Sequence, residues 1–208
     1  AGRKASGYIR ECHGDLHLGN LVLLDGQVVP FDCIEFNPAL RWIDVASELA
    51  FTYVDLLDHK QPRLAAWLLN AWLAEAGDFE AVPVLRFYAV YKAMVRAKVA
   101  GISGNAAAAG GYLHLAESIA NPPPPQLTIT FGLSGSGKTT ASADFLSADP
   151  SATTLRLRSD VERKRLFGLA PLARSQSTVD GGIYTPEATR RTYARLVEAA
   201  GLILDAGW

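Results

Sequence analysis

The chain has 208 residues, 49% of them apolar, and its 20 basic and 21 acidic side chains leave a formal charge of -1. That length allows one large or two small domains with an ordinary core, and the balanced charge excludes the electrostatic footprint that holds nucleic acid or an anionic membrane. No apolar run approaches the roughly 18 residues of a membrane span, so the expected setting is the cytoplasm and the expected partner a small molecule.

The first chemistry-bearing segment is His13-Gly14-Asp15-Leu16-His17-Leu18-Gly19-Asn20, the H-x-D-x-x-x-x-N pattern of a kinase catalytic loop. After it, Leu21-Val22-Leu23-Leu24 and Gln27-Val28-Val29 flank Asp25-Gly26, a pair that suits the positive φ angles of a two-residue hairpin turn. The hairpin delivers Val29-Pro30-Phe31-Asp32. Phosphoryl transfer at such a loop needs an acid to accept or orient the acceptor hydroxyl, here Asp15, and oxygen ligands for Mg²⁺, here Asn20 and Asp32. His13 is expected to brace the loop and His17 to make a polar contact, because no second His or Cys stands at ligand spacing. Glu35 is open to assisting with the metal or to a surface position, and reads first as a surface carboxylate. Cys12 and Cys33 have neither disulfide-framework nor metal-ligand spacing and read as small buried fillers.

This segment resembles the aminoglycoside phosphotransferase family, over Gly7 to about Ser118. The resemblance implies a kinase-like C-lobe without its ATP-covering N-lobe, and it implies that Asp44, in Arg41-Trp42-Ile43-Asp44, braces the catalytic loop.

Three apolar stripes then recur at helical spacing: Leu40, Ile43, Ala46, Ala50, Val54 and Leu57; Leu64, Trp67, Leu68 and Trp72; Val84, Phe87, Tyr91, Met94 and Val95. They predict a helical bundle. Gly104 to Gly111 is open to a loop or to the start of a helix through Leu113 and Ile119. The run Asn121-Pro122-Pro123-Pro124-Pro125 can neither continue a helix nor sit inside a sheet. The expected division is therefore a hairpin-plus-bundle domain over 1–120, a linker over 121–126 and a second domain over 127–208.

The second domain reads as strand (Leu127 to Phe131), glycine-rich turn, helix (Thr139 to Leu146), strand (Thr153 to Leu157), helices (Val161 to Phe167 and Pro186 to Ala200) and strand (Leu202 to Asp205). That alternation predicts an α/β domain with a parallel sheet. Its turn, Gly132-Leu133-Ser134-Gly135-Ser136-Gly137-Lys138-Thr139, fits the P-loop pattern G-x-x-x-x-G-K-S/T in full. The glycines let several N–H groups turn inward, the helix N-terminus adds partial positive charge, Lys138 faces the β- and γ-phosphates of ATP, and the Thr139 hydroxyl ligates Mg²⁺; Thr140 completes the set. A Gly/Ser turn that merely caps a helix is the competing reading.

Asp160, in Arg158-Ser159-Asp160, falls at the carboxyl end of a strand, where it could orient an acceptor hydroxyl. It suits the first turn of a helix equally well, with Ser159 and Glu162 at capping-box spacing. Arg163 and Lys164 are open to substrate contact or a solvated face, and Asp205 to a metal-site acid or a turn. Gly132 to Thr140 with Arg158-Ser159-Asp160 resembles the small P-loop kinases related to gluconate, shikimate and adenylate kinases, over Gln126 to Trp208, and the resemblance places Arg174, Arg190 and Arg191 near an arginine-bearing lid. The two halves in this order resemble bacterial bifunctional aminoglycoside phosphotransferase/ATP-binding proteins, whose chains are longer. A chain that opens on Ala1 and closes shortly after Leu202-Ile203-Leu204 therefore reads as an internal piece of such a protein. The expected activity is ATP- and Mg²⁺-dependent transfer to an alcohol group of a small acceptor; a nucleotide-binding regulator or toxin-like module with a degenerate kinase-like scaffold is the alternative. Oligomeric state has no signature in the sequence.

Overall fold

The structure, a computed structural model, describes residues 2–133, 135–173 and 182–208. They form two compact units, Ala1–Ala65 with Val84–Pro122, and Ala66–Pro83 with Pro123–Trp208.

The first unit opens on a short helix, α1 (Gly2–Ala5), and strand β1 (Ile9–Glu11). A 3-10 turn, Leu18–Asn20, leads into β2 (Leu21–Leu24) and β3 (Gln27–Pro30), then β4 (Trp42–Asp44) and helix α2 (Val45–Asp58). The β2–β3 hairpin turns through Asp25 at φ 49° and Gly26 at φ 77°, with Leu24 opposite Gln27 and Leu21 opposite Pro30. Both turn residues take the left-handed conformation a two-residue hairpin demands. Strand β1 pairs antiparallel with β4, Arg10 opposite Ile43. At the junction of β4 and α2, the Asp44 carboxylate accepts the Ala46 N–H and caps the helix.

Helices α3 (Pro62–Ala76), α4 (Val82–Ile102) and α5 (Ala106–Ala120) follow. Gly104, at φ 75°, ends the preceding turn, and Asn105 caps α5 by accepting the Ala108 N–H, so 104–111 resolves into a turn and the first turns of a helix. Of the first stripe, Ala46, Ala50 and Val54 are buried on α2 as their spacing predicts, whereas Leu40 is exposed in the 3-10 turn Pro38–Leu40 and Ile43 lies on β4, so the helix begins later than the stripe. On α4 the buried face is Leu85, Ala89, Ala93 and Ala97, whereas Phe87, Tyr91 and Met94 are exposed. On α3, Ala65, Ala66, Leu69 and Leu73 are buried, with Leu64 and Trp67 exposed. Large apolar side chains dominate a sequence stripe, but many of the buried positions of these two helices are alanines, and these larger side chains of the stripes are exposed. No helix among the described residues is long and apolar enough to cross a membrane.

The second unit joins residues 66–83 to α6 (Lys138–Ala148), α7 (Ser159–Leu166) and α8 (Pro186–Asp205), with α7 packed on α8. The expected parallel sheet is absent among the described residues. Residues 127–133 and 152–158 run without a ladder, and Ile129 and Phe131 are 78% and 100% exposed. A strand exists through its neighbours, and neither run has one among the described residues. For the second run a side chain stands in: the Asn70 carboxamide donates to the Thr154 carbonyl at 2.9 Å and accepts the Arg156 N–H at 2.7 Å. The expected strand Leu202 to Asp205 is the last turn of α8, whose buried positions Ala188, Thr192, Ala199 and Ile203 keep helical spacing to the end. Three apolar residues in a row carry no period of their own.

Residues 66–83 are fastened to this unit by Arg165, which donates to the final carbonyls of α3: Leu73 (3.4 Å), Ala74 (2.7 Å) and Glu75 (3.0 Å). The same guanidinium pairs with Glu162, which is 2% exposed and also meets Arg195 at 3.7 Å. Arg165→Ala is expected to lower urea stability by about 2 kcal/mol, the loss of several charge-assisted bonds. Arg190→Ala, which removes only the exposed pair with Glu187, should cost under ~0.5 kcal/mol in the same measurement.

Candidate functional site

In the second unit the loop 132–137 precedes α6, whose N-cap is Gly137 at φ 82°. Gly132 and Gly135 lie at φ 154° and 76°, and a Cβ on Gly132 would come within 2.7 Å of the Ser136 Oγ. Glycine is required here by both backbone angle and space. The N-cap Gly137 offers no side-chain cap, and among the described residues no side chain accepts from the first N–H groups of α6, which suit an anion. The Lys138 ammonium donates to the carbonyls of Gly132 (2.7 Å) and Leu133 and to the Ser136 Oγ at 3.4 Å. The positive charge of Lys138 and of the helix N-terminus suits a phosphate group. Ser134 and Arg174 lie outside the described residues.

Asp160 sits in the first turn of α7, paired with Lys164 at 2.7 Å and accepting the Tyr184 hydroxyl at 3.3 Å. The expected capping box does not form: the N-cap is Arg158, which makes no side-chain cap bond, and Glu162 is buried against Arg165 and Arg195. Arg163 donates to the Ile183 carbonyl and the Thr189 hydroxyl, both at 3.1 Å, and so is no solvated side chain. Asp205 is an exposed last residue of α8. Arg190 pairs with Glu187, and Arg191 lies 5.9 Å from the Phe167 ring centroid.

In the first unit the loop 13–20 brings two of the expected residues together. The Asn20 amide donates to the Asp15 carbonyl at 3.0 Å and to its carboxylate at 3.3 Å. The Phe31 N–H donates to the Asn20 carbonyl at 3.0 Å, which fixes the chain just before Asp32; Asp32 itself is exposed, at φ 59°. His13 braces the loop as expected. Its Nε2 lies 2.7 Å from the Phe31 carbonyl and so carries the proton, leaving Nδ1 to accept the Asp15 N–H at 3.4 Å. His17 accepts the Gly19 N–H, lies 3.5 Å from Asp15 and meets the Phe51 ring edge-on. Glu35 is exposed, and both thiols are free and half-buried.

Asp44 does not brace this loop; it caps α2 and pairs with Arg3. Three residues one turn apart on α2 do so instead. Glu48 accepts the N–H groups of His13 (3.0 Å) and Gly14 (3.0 Å), the Thr52 hydroxyl donates to the Leu16 carbonyl (2.6 Å), and Asp55 accepts the Leu18 N–H (2.8 Å). Polar residues spaced i, i+4, i+7 within an otherwise apolar helix were the available signal. Buried Lys92 adds a bond to the Gly14 carbonyl at 3.4 Å, its ammonium 4.4 Å from the Phe51 ring centroid. Burial pushes the Glu48 carboxyl above its usual range, against the pull of the Gly14 N–H and Lys92, and burial pulls the Lys92 ammonium down.

Residues 127–208 match the AAA domain family. That match supports a P-loop α/β fold with nucleotide-binding, kinase-like character for this part of the chain. Along its whole length the chain is 29% identical, over 216 aligned residues, to uncharacterized proteins of Mycobacterium bovis and Mycobacterium tuberculosis. It spans 42% of the length of these curated relatives. No solved structure matches the chain significantly.

Glu48 generates a pH-dependent expectation. Its raised folded-state pKa means that its contribution to stability is complete below the ordinary value of 4.5 and is lost as pH rises through the raised value. The urea stability of wild type relative to Glu48→Gln should therefore move in favour of wild type as pH falls from neutral toward 4.5. A difference that is flat with pH, or that moves the other way, would show that Glu48 is not held by burial in this manner.

Proposed function

We propose that Gly132 to Thr140 hold the phosphates of ATP, with Mg²⁺ on Thr139, in an enzyme that moves the γ-phosphoryl group to a small hydroxylated acceptor. The carrying observation is the glycine-shaped loop that opens α6 without a side-chain cap and closes on Lys138, inside the segment that matches the AAA domain family. When bound, Mg²⁺ would neutralise charge on the β- and γ-oxygens. The loop N–H groups and Lys138 orient the phosphates, and Asp160 acts on the acceptor hydroxyl. Lys164 pairs with the Asp160 carboxylate at 2.7 Å and fixes its position at the start of α7.

The reading extends to the first unit, as an aminoglycoside-phosphotransferase-like C-lobe with a second catalytic loop. There Asp15 orients an acceptor hydroxyl, and Asn20 and Asp32 would hold Mg²⁺. What favours it is the convergence of Asp15 with Asn20 and the fastening of Phe31, next to Asp32, to the same Asn20. The activity is a cytoplasmic one in this proposal, and it needs no nucleic acid or membrane.

Lys138→Ala should weaken ATP binding by roughly tenfold or more, since it removes a charged donor while leaving the backbone nest. Isothermal calorimetry with ATP, GTP and AMP checks this, and unchanged affinity would refute the phosphate assignment. In the full-length protein, Asp15→Asn should abolish transfer at the first site with ATP binding retained, whereas Asp32→Asn should weaken Mg-ATP binding itself. Identical behaviour of the two variants would show the roles to be wrongly divided.

A further inference from the structure

Asn70 lies on α3, outside the residues that match the AAA domain family, yet its side chain is joined to the phosphate loop by two steps. Its carboxamide, buried, brackets the extended run by accepting the Arg156 N–H at 2.7 Å and donating to the Thr154 carbonyl at 2.9 Å. Arg156, held by its backbone, donates its guanidinium to the Thr139 carbonyl at 3.4 Å and the Ser142 Oγ at 3.2 Å. Ser142 in turn donates to the Thr139 carbonyl at 3.0 Å. The first turn of α6 is thus tied, at Thr139, to a side chain from α3.

We propose that Asn70 and Arg156 are positioning residues for Thr139, so that residues 66–83 help to set the Mg²⁺-dependent part of nucleotide binding. This rests on the P-loop reading above. The two halves of the phosphate site are held by different means. Lys138 and the glycines are fixed locally, by bonds among Gly132, Leu133 and Ser136. Thr139, one residue into the helix, is tied instead through its carbonyl to Arg156, and a shift of the first helical turn would move its hydroxyl while leaving the glycine nest in place.

The test is titration of the full-length protein with a fluorescent ATP analogue, once with Mg²⁺ and once with EDTA. Asn70→Ala and Arg156→Gln should each raise the Mg-ATP dissociation constant about fivefold, leave the metal-free constant within about twofold, and be no worse in combination than the weaker single variant. Leu69→Ala is the structural control, because it loosens the same helix from a fully buried position without touching Arg156. Equal losses with and without Mg²⁺, additive effects in the double variant, or a Mg²⁺-specific loss in Leu69→Ala would overturn the proposal. If Asn70→Ala fails to fold, Arg156→Gln still decides, since its truncation leaves the Asn70 bracket intact. Wild-type affinity that Lys138→Ala leaves unchanged would instead overturn the P-loop reading and this inference with it.

Discussion

A carboxylate removed from water must be offset by donors or positive charge close by, and each unit of this chain buries such a group, although Glu162 Oε2 is met by its arginines through charge and not through a hydrogen bond. Asp55 is 1% exposed and answered by the Leu18 N–H, the Tyr112 hydroxyl and Arg96; Glu162 is 2% exposed and answered by Arg165 and Arg195. The desolvation of an unpaired charge costs several kcal/mol, so these partners are held in place as firmly as the acids themselves. In both cases the partner also does positional work. Leu18 belongs to the candidate catalytic loop, and Arg165 closes the end of α3.

The two candidate sites are stiffened in different ways. The phosphate loop shapes itself: glycines at positive φ turn the chain, and its own lysine joins its carbonyls. The loop 13–20 has bonds of its own, among His13, Asp15, His17 and Asn20, and is held in addition from outside by Glu48, Thr52 and Asp55, a single stripe of α2, and by Lys92 on α4. The difference follows from composition. A loop with three glycines within six residues can reach conformations that supply their own bonds, whereas in His13 to Asn20 the N–H groups of His13, Gly14 and Leu18 are satisfied by carboxylates of α2. Substitutions in α2 therefore bear on the first site more than their distance in sequence suggests.

The hairpin was legible in the sequence because its signal is local: Asp25-Gly26 between short apolar runs has one low-energy solution. The helices were legible too, and their faces less so. Phe87, Tyr91 and Met94 are larger apolar side chains than Ala89, Ala93 and Ala97, yet the alanines are buried, because spacing along one helix does not record which of its faces is covered. Asp44 illustrates the same limit for a polar residue: its position just ahead of α2 suited a loop brace, but the helix N-terminus and Arg3 are nearer claims on its oxygens.

By itself the sequence determined the elements whose causes are local: the glycine-lysine loop opening a helix, and the H-x-D-x-x-x-x-N segment with its hairpin. These depend on backbone angles and on bonds between residues a few positions apart, which sequence spacing encodes directly. Only the tertiary structure decided that Leu202 to Asp205 continue a helix, that Glu48 rather than Asp44 braces the loop 13–20, and that Asn70 pairs with residues more than eighty positions away. Those outcomes turn on which surfaces are brought together, and a short apolar run or an isolated polar side chain carries no local record of its eventual neighbour.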